Sequence, residues 1–154
     1  MPQNFFVTID GAKQGKFKGE GAGAKHADQI AGLAFHYEVN RPVAAGAGMA
    51  TGKRQHSPVT FLKHWGAASP QLLKALIDAE KLKSVVFDFE ETTASGQTKV
   101  FYTVKLTDAA VVSIKQDVAH PGAPSAGETL EEIGLTFAKI EETSVTGGTS
   151  VTDS

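Results

Sequence analysis

Five histidines, a Gly-Lys step behind a glycine-rich stretch and several grouped carboxylates are the residues of this chain that could do chemistry. A metal needs ligands that converge. His56 and His64 stand eight residues apart, on one side of a regular strand but about 26 Å from each other. His26, His36 and His120 are scattered, with no His-x-His or HExxH spacing. These read as isolated surface or strand histidines, and no metal site is expected. Gly46-Ala47-Gly48 with Thr51-Gly52-Lys53 resembles a phosphate loop only in part. Aligned on Gly52-Lys53, the first glycine of G-x-x-x-x-G-K-[ST] falls on Ala47, Arg54 stands where Ser or Thr belongs, and a strand follows instead of a helix. Asp88 and Glu90 would share a strand face roughly 7 Å apart, a glycosidase-like spacing. Without an aromatic platform they read as a solvated face opposite Phe87 and Phe89, and Glu91, Asp108 and the Glu131-Glu132 pair read the same way. G-x-S-x-G is absent. The chain has no cysteine, which removes thiolate nucleophiles, disulfides and Cys-based zinc sites. No catalytic, cofactor-binding or metal-binding residue is expected, and no enzyme.

What remains is a stretch of architecture. Thr51 to Leu76 reads T-G-K-R-Q-H-S-P-V-T-F-L-K-H-W-G-A-A-S-P-Q-L-L-K-A-L. The end of a Gly/Ala-rich loop (Arg41 to Lys53) runs into a strand over Gln55–Trp65, with Pro58 marking an edge or a strand start. Ser69-Pro70 then opens a helix over about residues 70–81, Ser as N-cap and Pro at the first helical position. Leu72, Leu73, Leu76, Ile77 and Ala79 would form its apolar face. Arg54 and His56 are interface candidates, since Arg is enriched at interfaces and forks onto carboxylates. Trp65 reads as a core or seam residue at the strand–helix joint.

The other elements are strands. Asn4–Ile9, Gln14–Lys18, the alternating Leu33–Val39, Val85–Glu91, Lys99–Leu106, Ala109–Val118 and Leu130–Ile140 all carry β patterning, and Ala94-Ser95-Gly96-Gln97 marks a hairpin. Many short strands with one helix predict a mainly β fold, a compact β-barrel of two antiparallel sheets with one flanking helix. Residues 1–142 form the expected single domain, and 143–154, rich in Thr, Ser and Gly, an expected flexible tail.

Composition sets further bounds. The chain has 154 residues, 41% hydrophobic and 21% charged, enough for one real core. A net charge of −2 leaves no footprint for nucleic acid and no polybasic membrane anchor. No segment approaches the roughly 18 apolar residues of a span. M-P-Q-N-F-F-V-T-I-D-G has neither the basic n-region nor the apolar h-region of a signal peptide.

T-G-x-R-x-H-x-P, then Lys63, then A-S-P-x-L, resembles the hemolysin-coregulated proteins (Hcp) of bacterial type VI secretion. Gly19-Glu20 with Gln29-Ile30, Val39 and Pro42, Tyr102–Leu106, Ala110-Val111-Val112-Ser113 and Leu130-Glu131-Glu132-Ile133 through Lys139-Ile140 extend the resemblance over roughly Asn4–Ile140. It implies a homohexameric ring, rings stacked into the inner tube of a contractile machine, spike and sheath proteins as partners, small effectors in the lumen, and secretion with the spike after synthesis in the cytoplasm. Val43, Ala44, Ala45, Gly46, Ala47, Gly48, Met49, Ala50 and Thr51 are then the expected ring-stacking loop, and Ala34, His36 and Glu38 the expected lumen face. Glu141-Glu142 stand where the family often has an aromatic residue, so the last strand is expected to end early. The alternative reading is a monomeric β-barrel that binds a small ligand; a hydrolase would need convergent titratable groups.

Overall fold

Strand β1 (Gln3–Gly11) turns Phe5, Val7 and Ile9 to one side, where all three are buried, as the two-residue period of a strand requires. The structure, a computed structural model, describes residues 3–19, 28–42, 53–118, 122 and 128–154. Strand β2 (Gly15–Lys16) folds back on the end of β1, and β8 (Leu82–Thr92) pairs antiparallel along its length. The inward rings of β1 and β8 meet Phe35: the Phe35 and Phe87 centroids lie 5.0 Å apart at 72°, and Phe35 and Phe89 5.2 Å apart at 89°, the edge-to-face geometry that aromatic quadrupoles favour.

One long strand, β9 (Thr98–Val118), belongs to two sheets. Its first half pairs with β8 and β11 (Lys139–Ser144), its second half with β10 (Thr129–Thr136). The sequence suggests two separate strands here. They are one strand that changes partners around Asp108, a residue of positive φ (51°): β11 pairs up to Thr107 and β10 from Ala110 onward, while the β8 register runs unshifted from Ser84↔Thr107 to Leu82↔Ala109. From β10 the second sheet continues through β7 (Val59–His64) to β4 (Ala34–His36).

Among the described residues the fold class is the expected one, mainly β with two antiparallel sheets and one helix, but the barrel is not closed. The strand path ends at β2 and at β4. Residues 30–36 span the gap: β3 (Ile30–Gly32) pairs with β1, β4 with β7, and Leu33 between them donates its N–H to Leu62. This break explains why Leu33 is exposed although alternation assigned it to the buried side. Gly32 faces Phe5 so closely that an added Cβ would lie 1.9 Å from the ring.

Helix α1 (Ala68–Ile77) is shorter and earlier than expected. It buries Ala68, Ser69, Leu72 and Ala75 and leaves Leu73 and Ile77 exposed. Ala67, not Ser69, is its N-cap, because the Ser69 hydroxyl is engaged elsewhere. At the other end Glu80 N–H bonds to Ala75 and Ala79 N–H to Leu76, with Ala79 at φ 51°. This is a Schellman stop with alanine where glycine is usual. The reversal drives Glu80 inward, where its carboxylate accepts hydrogen bonds from Lys13 N–H, Gln14 N–H and the Gln14 side chain. Burial raises the Glu80 pKa, and those bonds outweigh it, so the net displacement is downward.

Two further expectations change beyond Thr136. The last strand divides into β10 and β11 around Phe137-Ala138, and β11 runs through Glu141 and Glu142 instead of ending before them. Residues 143–154, expected as a tail, complete β11 and form β12 (Thr149–Asp153), paired from Ile140↔Asp153 to Ser144↔Thr149. The pairing supplies backbone partners that composition alone does not reveal.

Candidate functional site

β5 (Val39–Asn40) and β6 (Gln55–His56) form a separate two-stranded ladder that continues the β4–β7 pair beyond residues 37–38 and 57–58. Arg54 and His56, two residues apart, project to the same side and meet Asp153 of β12. The guanidinium forks onto the carboxylate, Nε and Nη2 each donating at 2.5 Å, and His56 Nε2 lies 2.8 Å from the same group. Arg54 Nη2 also reaches the Ser154 carbonyl at 3.4 Å. On its other side His56 Nδ1 lies 2.5 Å from the Tyr37 hydroxyl. With Tyr37 donating to Nδ1, the Nε2–H donates to Asp153. The imidazole stacks on Tyr37 at 14° and meets Phe137 edge-on. Hydrogen bonds from Arg54 outweigh desolvation and, with the His56 bond, hold the Asp153 pKa down at about 2. A cleft of about 250 Å³ beside the cluster is lined by Tyr37, Val39, Ile140, Glu142 and Val151. Deeper in the sheet the Tyr102 hydroxyl donates to Glu142 at 2.5 Å; that bond, then burial, raises the Tyr102 pKa to about 12.

A second cluster is buried. Lys63 of β7 and Glu131 of β10 form an ion pair at 2.6 Å with both side chains out of solvent. Ser69 Oγ donates to Glu131 at 2.6 Å and accepts from Lys63 Nζ and Gly66 N–H. Gln116 donates to the other carboxylate oxygen, and Lys63 also donates to the His64 carbonyl. Burial raises the Glu131 pKa, but the Lys63, Ser69 and Gln116 bonds together bring it below the ordinary range. The network ties β7, α1, β9 and β10 together. Trp65, half exposed on the rim, donates Nε1–H to the Leu130 carbonyl and is a seam residue.

The sequence reading placed Glu131 and Glu90 on solvated faces; both are buried, Glu90 where a bulge follows Phe89. The expected lumen residues Ala34, His36 and Glu38 are exposed, with His36 Nε2 3.9 Å from the Glu38 carboxylate. The expected stacking loop, Val43 to Thr51, lies outside the described residues, as do His26 and His120. Among the described residues no three His, Asp or Glu side chains gather in a metal-holding group. Asp153 and Tyr37 escaped the sequence analysis as site residues. The signal was present in E-E-T-S-V-T-G-G-T-S-V-T-D, β-prone runs on both sides of Gly147-Gly148, a hairpin pattern.

The geometry therefore defines a class: a two-sheet β domain with one flanking helix, whose polar clusters clamp elements to one another. The chain matches the family described as "Type VI secretion system effector, Hcp" over residues 6–143, and it belongs to that family. It is 34% identical, over 96% of its length and 92% of the relative's, to the "Major exported protein" of Pseudomonas aeruginosa strain PAO1. Among solved structures it is similar to "Hcp protein" (TM-score 0.91, 25% identity, 99% of this chain and 97% of that one). It is also similar to "Secreted protein Hcp3 from Pseudomonas aeruginosa" (TM-score 0.82, 30% identity, 99% and 97%).

Proposed function

We propose that this protein is a structural ring subunit and not an enzyme: six copies close into a ring, and rings stack into the inner tube of a type VI secretion machine. The observation that carries the reading is the family match across residues 6–143, supported by the similarity to an exported protein. The open strand path adds physical support. Among the described residues β4 and β12 each pair with a strand on one side, and a closed rotation of identical copies covers such edges with a neighbour. The protein is made in the cytoplasm and leaves with the spike; spike, sheath and small effector proteins are its partners. Val43 to Thr51 contact the next ring. Ala34, His36 and Glu38 line the lumen, in keeping with their exposure. Arg54, with 49% of its side chain exposed, keeps a surface for a neighbouring copy.

Size-exclusion chromatography with light scattering tests the assembly. A mass of six chains is expected; one chain at concentrations well above micromolar overturns the ring. Deleting Ala44 to Ala50 should leave the ring intact and weaken stacking, whereas unfolding of the domain would make the loop a core element. Bulky replacements of His36 or Glu38 should impair cargo binding with the ring preserved, and loss of the ring would sink the lumen assignment. The reading as a monomeric ligand-binding barrel draws on a cleft of about 400 Å³ lined by Phe35, Tyr37, Phe89 and Phe101. Against it, the rings of Phe5, Phe35, Phe61 and Phe87 fill the space between the sheets.

A further inference from the structure

We infer that Asp153 is a positioning residue: through Arg54 and His56 it latches β12 onto the β5–β6 hairpin and sets the orientation of the stem from which residues 41–54 depart. Its consequence for ring stacking rests on the function proposed above; the latch itself does not.

The stem needs an anchor. Its ladder holds two residue pairs, Val39↔His56 and Asn40↔Gln55, all four exposed, and it joins neither main sheet by strand pairing. It is joined to β4 and β7 through residues 37–38 and 57–58, and a two-stranded ladder without further packing is at best marginally stable in water. Ser57 lengthens the stem by one step, its N–H bonding to the Glu38 carbonyl and its hydroxyl accepting from Glu38 N–H. That step orders the hairpin without fixing where it points.

Asp153 supplies direction. It sits opposite Ile140, a buried core residue of β11, and β11 is hydrogen-bonded to β9. Its carboxylate is thus carried by the main sheet. Its two oxygens receive donors from Arg54, just ahead of β6, and from His56 on β6, two residues apart, and the Arg54 donor is a planar fork. A forked guanidinium–carboxylate pair constrains angle as well as distance, which a single contact does not. The Tyr37 hydroxyl and the edge-on Phe137 ring also contact the imidazole. The stem can then rotate only by breaking the Arg54 and His56 bonds together.

The test is amide hydrogen exchange on intact rings, with tube length followed by sedimentation. Asp153→Asn should raise exchange at Asn40, Gln55 and Ser57 about fivefold while β8 and β9 stay protected, and should shorten tubes. Asp153→Glu should restore part of the protection, and the reciprocal pair Arg54→Asp with Asp153→Arg should restore more than either single change. Unchanged stem exchange in Asp153→Asn overturns the latch. Faster stem exchange with unchanged tube length overturns its link to stacking. If deleting Ala44 to Ala50 also leaves tubes intact, the stacking role of the loop fails, and the exchange result still decides the latch.

Discussion

Arg54 and Asp153 are 99 residues apart in the chain and form a two-pronged ion pair, with both nitrogen–oxygen distances at 2.5 Å. The pair joins the stem before Ser57-Pro58 to a strand that follows a Gly-Gly turn. Neither partner's neighbourhood in sequence announces the other.

Acid should release this pair. The Asp153 pKa is about 2 in the folded chain against an ordinary 3.8. A depressed carboxylate contributes stability that is complete above its unfolded pKa and is lost as pH falls through the folded one. Docking of β12 on the stem should therefore hold at pH 5 and loosen between about pH 4 and 2, read by exchange at the stem amides. In Asp153→Asn the stem should be open at both ends of that range.

The Lys63–Glu131 pair predicts an asymmetry. Lys63→Met alone leaves a carboxylate buried with fewer donors and should cost about 3–5 kcal/mol in denaturant unfolding. Lys63→Met with Glu131→Leu removes both charges and should cost less than the single change. A double variant worse than the single one would show that Ser69 and Gln116 depend on the carboxylate more than the pair depends on itself.

Ala79 holds a left-handed conformation at the helix stop. Ala79→Gly removes a steric cost of roughly 1–2 kcal/mol and adds chain entropy to the unfolded state, for a net gain of about 0.5–1 kcal/mol. Ala79→Val should destabilise. Thermal or denaturant melts measure both.

The chain has two tyrosines, and both are displaced upward, Tyr37 first by burial and Tyr102 to about 12 by its bond to Glu142. An absorbance titration of the folded protein should show less tyrosinate at pH 10 than two free phenols would give. A phenol raised in the folded state contributes stability present below its unfolded pKa and lost as pH rises through the folded value. Tyr102→Phe should flatten the loss of stability between about pH 10 and 12.

Much of the fold was legible because period-two burial is a local property. Val7 and Ile9, or Val85 and Phe87, reveal their faces within a few residues. Leu73, Ile77 and Leu33 misled because their spacing matches an apolar face, while exposure depends on what the element packs against. The resemblance carried by T-G-x-R-x-H-x-P was legible in the same local way. The expected tail was not, since Thr, Ser and Gly suit a solvated chain and a paired hairpin equally, and only the β9–β11 edge decides between them.

By itself the sequence determined the mainly β class, the single short helix, the position of the strand–helix joint and the family. Those follow from periodicity and a contiguous motif; the cap expected at Ser69 fell at Ala67. Only the tertiary structure decided that β9 changes partners around Asp108, that Lys63 and Glu131 neutralise each other out of solvent, and that Arg54 and His56 are held by Asp153. The two side-chain clusters depend on groups brought together across 60 or more residues, and the switch at Asp108 depends on which strands lie beside β9; the energy of such contacts exists only once the sheets have set the distance.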